Sequence, residues 1–262
     1  MTPFAQVIRG LVLIWMVPTM AMAAEGTWGN LTAEFRLKGT PPKLAAIDPG
    51  TDQVCCQANP QDESLVVGKE GELANVVIYL QVARGDDLRV HPDLVEPVSD
   101  FVELDNSGCA FTPHVVLVRG GQTLKLKNTD ATNHNVKAKL GSEAFNFMVP
   151  AKGEQTVVLD KSQRVPCAIG CSIHPFMQGW ILVRDNPYMA VSGKDGKLAI
   201  KNLPAGTYEF QFWHERTGYL KEIEVGQAKT DRRGRVKLTI PAGGELDLGK
   251  IAIDAELMKE KP

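Results

Sequence analysis

Apolar residues in this chain come in runs of four or five and never hold a helical period over three turns. Residues 76–80, 115–118, 123–126, 156–159 and 180–183 are rich in β-branched and apolar side chains. Gly, Pro, Asn and Asp punctuate the stretches between them. Runs of this length and content read as strands, because a helix needs about ten or more residues of 3.6 periodicity to bury a face. The 24 glycines and 16 prolines spread along the 262 residues supply tight turns. Many short strands joined by such turns predict an all-β fold, a sandwich or barrel.

Residues 1–23 are set apart from that pattern. Arg9 gives a short positive start, residues 11–17 an apolar core, Pro18 a break, and Ala21, Met22 and Ala23 a small-residue end. This is the form of a cleaved secretory signal, and the apolar run is short of the roughly 20 residues a bilayer span needs. The expectation is a mature chain without a membrane span, periplasmic or secreted. The formal charge is -2, and -3 once Arg9 leaves with the signal. No field of either sign points to nucleic acid or an anionic membrane. Arg232, Arg233 and Arg235 are too few to change that and read as a solvated hairpin tip.

A boundary is expected at Asp185, Asn186 and Pro187, dividing residues 24–186 from 187–262. The earlier part opens with a strand at 32–37, continues through a polar, Gly- and Pro-containing loop over 41–69, and reaches the strand at 76. The later part begins as strand, turn, strand over residues 196–210, with further strands over 236–240 and 246–253.

The chemistry concentrates in one segment: Cys167, Ala168, Ile169, Gly170, Cys171, Ser172, Ile173, His174, Pro175, Phe176, Met177. From Cys171 onward a thiolate, an imidazole and a thioether fall within seven residues, so one tight loop between two strands can aim all three at one metal. Soft sulfur with imidazole selects copper, and two His plus one Cys with a weak axial Met is an electron-transfer arrangement. His134, flanked by Asn133 and Asn135 and 37 residues before Cys171, offers the second imidazole. A lone His or Met in a β-protein is usually structural or core filling. Four ligands in the order His, Cys, His, Met are not accounted for that way.

That order, with Asn135 and Val136 following the first His, resembles the small blue-copper proteins, the plastocyanins and amicyanins. The loop from Cys171 to Met177 has the short amicyanin spacing. The resemblance implies a cupredoxin-like Greek-key β-sandwich, with His134, Cys171 and His174 as strong copper ligands, Met177 as the long axial one, and Asn135 tying the two ligand loops together. A wider pattern (Leu104, Asp105, Asn106, Cys109, Pro113, His114, Val115, Gly121, Gln122) resembles exported bacterial cupredoxin-like proteins, some labelled methylamine-utilisation proteins. Residues 196–210 resemble the start of a carboxypeptidase-regulatory-like or transthyretin-like module, implying a small Ig-like sandwich after the copper domain.

Cys167 and His114 are candidate additional ligands. A Cys-x-x-x-Cys pair ahead of His and Met resembles the binuclear copper-A centre, although that centre has three residues between its second Cys and His where this chain has two. An odd count of five cysteines leaves a thiol for other chemistry. One bridge from Cys56 (or Cys55) to Cys109 would close a loop of roughly 50 residues, contributing about 4 kcal/mol in the chain-entropy model; the leftover Cys of the pair could join Cys167. His174, followed by Pro175 and Phe176, is expected to reach the surface through its ring edge, giving a redox partner (a cytochrome or a dehydrogenase) a small apolar patch to dock on.

No Gly-x-Ser-x-Gly, phosphate loop or His-Glu-x-x-His occurs, and five histidines cannot supply a trinuclear copper cluster. The expected function is therefore one-electron transfer at a single copper, not enzymatic turnover. The rivals are periplasmic copper storage or delivery, a binuclear centre using Cys167, and a carbohydrate- or protein-binding module with Trp213 and Tyr219 stacking on a sugar.

Overall fold

The structure is a computed structural model that describes residues 27–83 and 87–259; the expected signal segment lies outside the described residues. No helix among the described residues is long and apolar enough to cross a membrane. The chain is all-β and forms two sandwiches. It begins with β1 (Trp28–Lys38), a single short helix α1 (Gln53–Ala58) and β2 (Val77–Gln81). Nine strands follow: β3 (Phe101–Ser107), β4 (Ala110–Thr112), β5 (Val115–Arg119), β6 (Gln122–Asn128), β7 (His134–Leu140), β8 (Glu143–Val149), β9 (Glu154–Leu159), β10 (Cys167–Gly170) and β11 (Gln178–Arg184). The remainder is β12 (Met189–Val191), β13 (Lys197–Pro204), β14 (Gly206–His214), β15 (Gly218–Tyr219), a two-strand hairpin β16 (Glu224–Val225) and β17 (Ala228–Lys229), β18 (Arg235–Ile240) and β19 (Glu245–Asp254).

Strands β3 to β11 make one sandwich. A four-stranded sheet in the order β4-β3-β6-β9 faces a five-stranded sheet in the order β5-β11-β10-β7-β8. In β6 every second residue is buried, as a half-buried strand requires, and Leu124 and Leu126 enter a core with Leu104, Phe111, Val136, Ile181 and Val183. Cys171 and Met177 belong to this core as well.

The other sandwich is not built from consecutive sequence. β1 is the middle strand of the sheet β13-β1-β19, and β2 lies between β12 and β14. The expected division into residues 24–186 and 187–262 is therefore not the division that strand pairing makes. Phe35, Ile78 and Leu80 from the first 81 residues share one core with Phe210, Phe212, Leu238 and Ile251. The strands β2 and β12 are antiparallel neighbours, with Met189 opposite Tyr79. The nine-strand sandwich is thus an insertion into the connection of a β-hairpin. A signal for this was present in residues 76–80, which are apolar on both faces. Ile78 and Leu80 fill the core of their own sandwich, and Val77 and Tyr79 pack outward against Val115 and Leu182 of the inserted one.

This second contact fixes the two sandwiches together. Trp213 meets Trp180 edge-to-face at 4.9 Å between ring centroids. Arg184 is buried, lies over the Tyr79 ring, and donates to the carbonyls of Gln163 (2.8 Å) and Leu80 (3.1 Å). Trp213, which the rival carbohydrate-binding reading would stack on a sugar, is 4 % exposed at this junction.

Candidate metal centre

Two stretches of chain converge at one end of the inserted sandwich. His134 is the first residue of β7, and Cys171 directly follows β10. The loop between β10 and β11 closes on itself through Cys171 N–H to the Met177 carbonyl (3.2 Å) and Met177 N–H to the His174 carbonyl (2.9 Å). It therefore brings Cys171, His174 and Met177 together within one turn. The donor atoms of His134, Cys171 and His174 all lie within 4.8 Å of one another, and all three residues are buried. Met177 is buried in the same core as Cys171.

The outward sides of the imidazoles decide what the inward sides offer. His134 Nε2 lies 2.9 Å from Asp130 Oδ2, and His174 Nε2 lies 3.1 Å from Asp52 Oδ2. The tautomer that satisfies both carboxylates puts a proton on each Nε2 and leaves a lone pair on each Nδ1. Those two Nδ1 atoms face each other at 3.0 Å. Two lone pairs so placed repel unless a cation shares them. Burial also lowers the pKa of His134, which keeps it neutral and able to ligate.

Cys171 Sγ accepts from the backbone N–H of Asn135 and of His174, each at 3.4 Å, which holds the sulfur in place. Asn135 Oδ1 in turn accepts from Ser172 N–H (2.6 Å), Ile173 N–H and the Cys171 thiol, while its Nδ2 donates to Asn146 (2.6 Å). Asn135 thus joins the loop of the first His to the loop carrying the other ligands. Two imidazole lone pairs and a cysteine sulfur, with Met177 buried on the same loop, form a soft, electron-rich set, and the residues fit copper.

Asp52 and Asp130 were not singled out from the sequence. Asp52 caps α1, accepting from Val54 and Cys55 N–H, and also accepts from the Thr132 hydroxyl at 2.8 Å. The Thr132 bond, then those from Cys55, His174 and Val54, hold its carboxyl at about 2, so it stays ionised. Its only sequence signal is that of an N-cap, which says nothing of a histidine 122 residues away.

Several expected placements change. His174 is 4 % exposed and its Nε2 edge is taken by Asp52, so it does not present a ring edge to solvent. The disulfide joins Cys55 to Cys109, and Cys56 is an exposed free thiol. Neighbouring residues on a helix point about 100° apart, and only Cys55 faces inward. Cys167 is not bonded to another cysteine. It lies four strand residues before Cys171, roughly 13 Å along β10, with its sulfur near Gln163 and the Val165 carbonyl. It does not join the ligand cluster, so a binuclear centre bridged by it lacks its second thiolate.

His114 is also apart from the ligands. It lies at the junction of the sandwiches, where its Nε2 meets Glu215 Oε1 at 2.6 Å and its Nδ1 faces Glu63 at 3.6 Å. Trp180 Nε1 holds the other oxygen of Glu215 at 2.7 Å. Burial alone would lower the pKa of His114, but the bonds to Glu215 and then Glu63 outweigh it and raise it to about 9. A raised folded pKa gives stability that is present below the unfolded value, near 6.5, and lost as pH climbs through 9. The shift corresponds to about 3 kcal/mol. The urea midpoint should therefore fall between about pH 6.5 and 9, and His114→Gln should flatten that slope; equal slopes would disprove the pairing.

No protein-family model matches the chain, and no curated protein is significantly similar to it. Among solved structures it is similar to a copper(I) form of an amicyanin variant, at 21 % identity over 34 % of this chain and 86 % of that one, TM-score 0.29. A second copper(I) amicyanin variant gives 18 % identity over 42 % of this chain and 98 % of that one, TM-score 0.30. A copper-containing nitrite reductase from Thermus scotoductus SA-01 gives 22 % identity over 40 % of this chain and a quarter (25 %) of that one, TM-score 0.29. Scores this low carry no argument for function. The chemistry of the donor set has to carry it.

Proposed function

We propose that this chain is an exported one-electron carrier with a cupredoxin-like copper site made of His134, Cys171, His174 and Met177. The observation that supports it most is the pair of Nδ1 atoms facing each other at 3.0 Å beside a doubly hydrogen-bonded sulfur, with a carboxylate behind each ring. Copper bound there would supply the Cu(I)/Cu(II) couple. The protein's part is to keep the ligands still: Asn135 ties the loops, Asp130 and Asp52 fix the rings, and burial keeps water off the donors. A set of ligands that does not move between oxidation states keeps reorganisation small. The role is that of a carrier, not an enzyme, and its partner would be a redox protein such as a cytochrome or a dehydrogenase.

Copper storage or delivery uses the same ligands and predicts an exchangeable site; the covered edge of His174 favours retention. Metal analysis with electron paramagnetic resonance tests the reading. One copper per chain, with hyperfine structure from a single nucleus and an intense visible band, is expected. A colourless copper-loaded protein, or hyperfine structure from two coppers sharing the spin, would overturn it.

A further inference from the structure

The chain segments that support the two carboxylates behind the histidines are joined by a disulfide. Asp52 caps α1, which carries Cys55, and Asp52 and Cys55 group with His174 within 4.8 Å. On the other side Asp130 accepts from Gly108 N–H (2.7 Å) and Cys109 N–H (2.8 Å), and Cys109 and Asp130 group with His134. The Cys55–Cys109 disulfide, spanning 54 residues, links these two supports on the outer side of the ligand pair. Between the end of β1 at Lys38 and Ser64, α1 is the only regular element. The strap that delivers Asp52 to the inserted sandwich is thus held around Asp52 by this bond, by Asp52 to Thr132 and by Asp52 to His174, and at its far end by Glu63 beside His114. Both sulfurs are buried, yet Cys109 lines a cleft of about 710 Å³ between the sandwiches, where Met177 also lies.

We propose that the Cys55–Cys109 bond is the reaction site for a dithiol reductant, that Asp52 is a positioning residue for His174, and that opening the bond releases the metal. The inference rests on the copper reading. In the reaction the reductant's two thiols give two electrons and two protons. The Cys55–Cys109 bond becomes two thiols, and a disulfide forms on the reductant. Asp52 then leaves His174 with the freed strap, and the Nδ1 lone pair loses its fixed aim. The Cys109 thiol, which stays beside Asp130 and His134, is then a soft acceptor for departing Cu(I).

The test compares the full chain with Asp52→Asn, Cys55→Ser/Cys109→Ser, and Cys56→Ser as a control. Copper(I) loss to a colorimetric chelator should be roughly tenfold faster in the first two, the size typical for removal of a group behind a ligating histidine, and unchanged in the control. Combining Asp52→Asn with the double substitution should add nothing further, because both act through one strap. A second readout needs no metal: diethylpyrocarbonate labelling of His174 in the apo protein, followed by mass spectrometry, should accelerate in the same variants. Circular dichroism identifies a variant that fails to fold, and Asp52→Asn, which keeps the disulfide, then decides. Unchanged labelling and copper loss in the disulfide variant would overturn the brace. Failure of the parent chain to bind copper, with His174 labelling still accelerated, would overturn the copper reading and leave the brace standing.

Discussion

Cys171→Ser should abolish the intense visible band of the copper-loaded protein while leaving the fold in place. The band requires charge transfer from a thiolate, and among the described residues Cys171 is the one cysteine in a group with both imidazoles. The fold should survive because a serine oxygen can accept the same backbone N–H groups, from Asn135 and His174, that the sulfur accepts. Because the buried hydroxyl keeps these partners, the apo protein should lose less than the roughly 1–3 kcal/mol that an unpaired buried hydroxyl costs. Asn135→Ala should behave in the opposite way. It leaves the Ser172 N–H without its 2.6 Å acceptor and should cost about 1–3 kcal/mol of stability, with a broadened rather than absent band. Persistence of the band in Cys171→Ser would remove the sulfur from the ligand set.

Residues 187–262 expressed alone should not fold. In the whole chain β13 and β19 are held together by β1 between them, and β12 and β14 by β2. The fragment lacks both middle strands and the buried Leu31, Ala33, Phe35, Leu37, Ile78 and Leu80. At about 1.5–3 kcal/mol for each of the larger side chains, the loss is on the order of 10 kcal/mol, which is the whole stability of an ordinary domain. Its amide spectrum should be collapsed and its melt non-cooperative. A chain joining residues 27–83 to 187–259 by a short Gly-Ser turn should fold, because β2 and β12 are already hairpin neighbours. A cooperatively melting 187–262 fragment would contradict the insertion.

The two results concern different kinds of information. The strands at 76–80, 115–118, 123–126, 156–159 and 180–183 were legible because the alternation or continuity of apolar residues is a local property. The ligand loop was legible for the same reason: Cys171, His174 and Met177 need only a turn to meet. The partner of β1 was not legible, since nothing in its alternation of buried residues distinguishes β19, more than 200 residues later, from a strand nearby. The choice of Cys55 over Cys56 was hidden too, because it depends on which face of a six-residue helix turns inward.

By itself, then, the sequence determined an all-β chain and the donor types that a metal would meet, both products of neighbouring residues. Tertiary structure alone decided that His174 is covered, that Asp52 and Asp130 lock the imidazoles from behind, and that one sandwich is inserted within the other. Those outcomes arise from contacts between residues far apart in the chain, where many pairings satisfy local chemistry equally and only the packed whole selects among them.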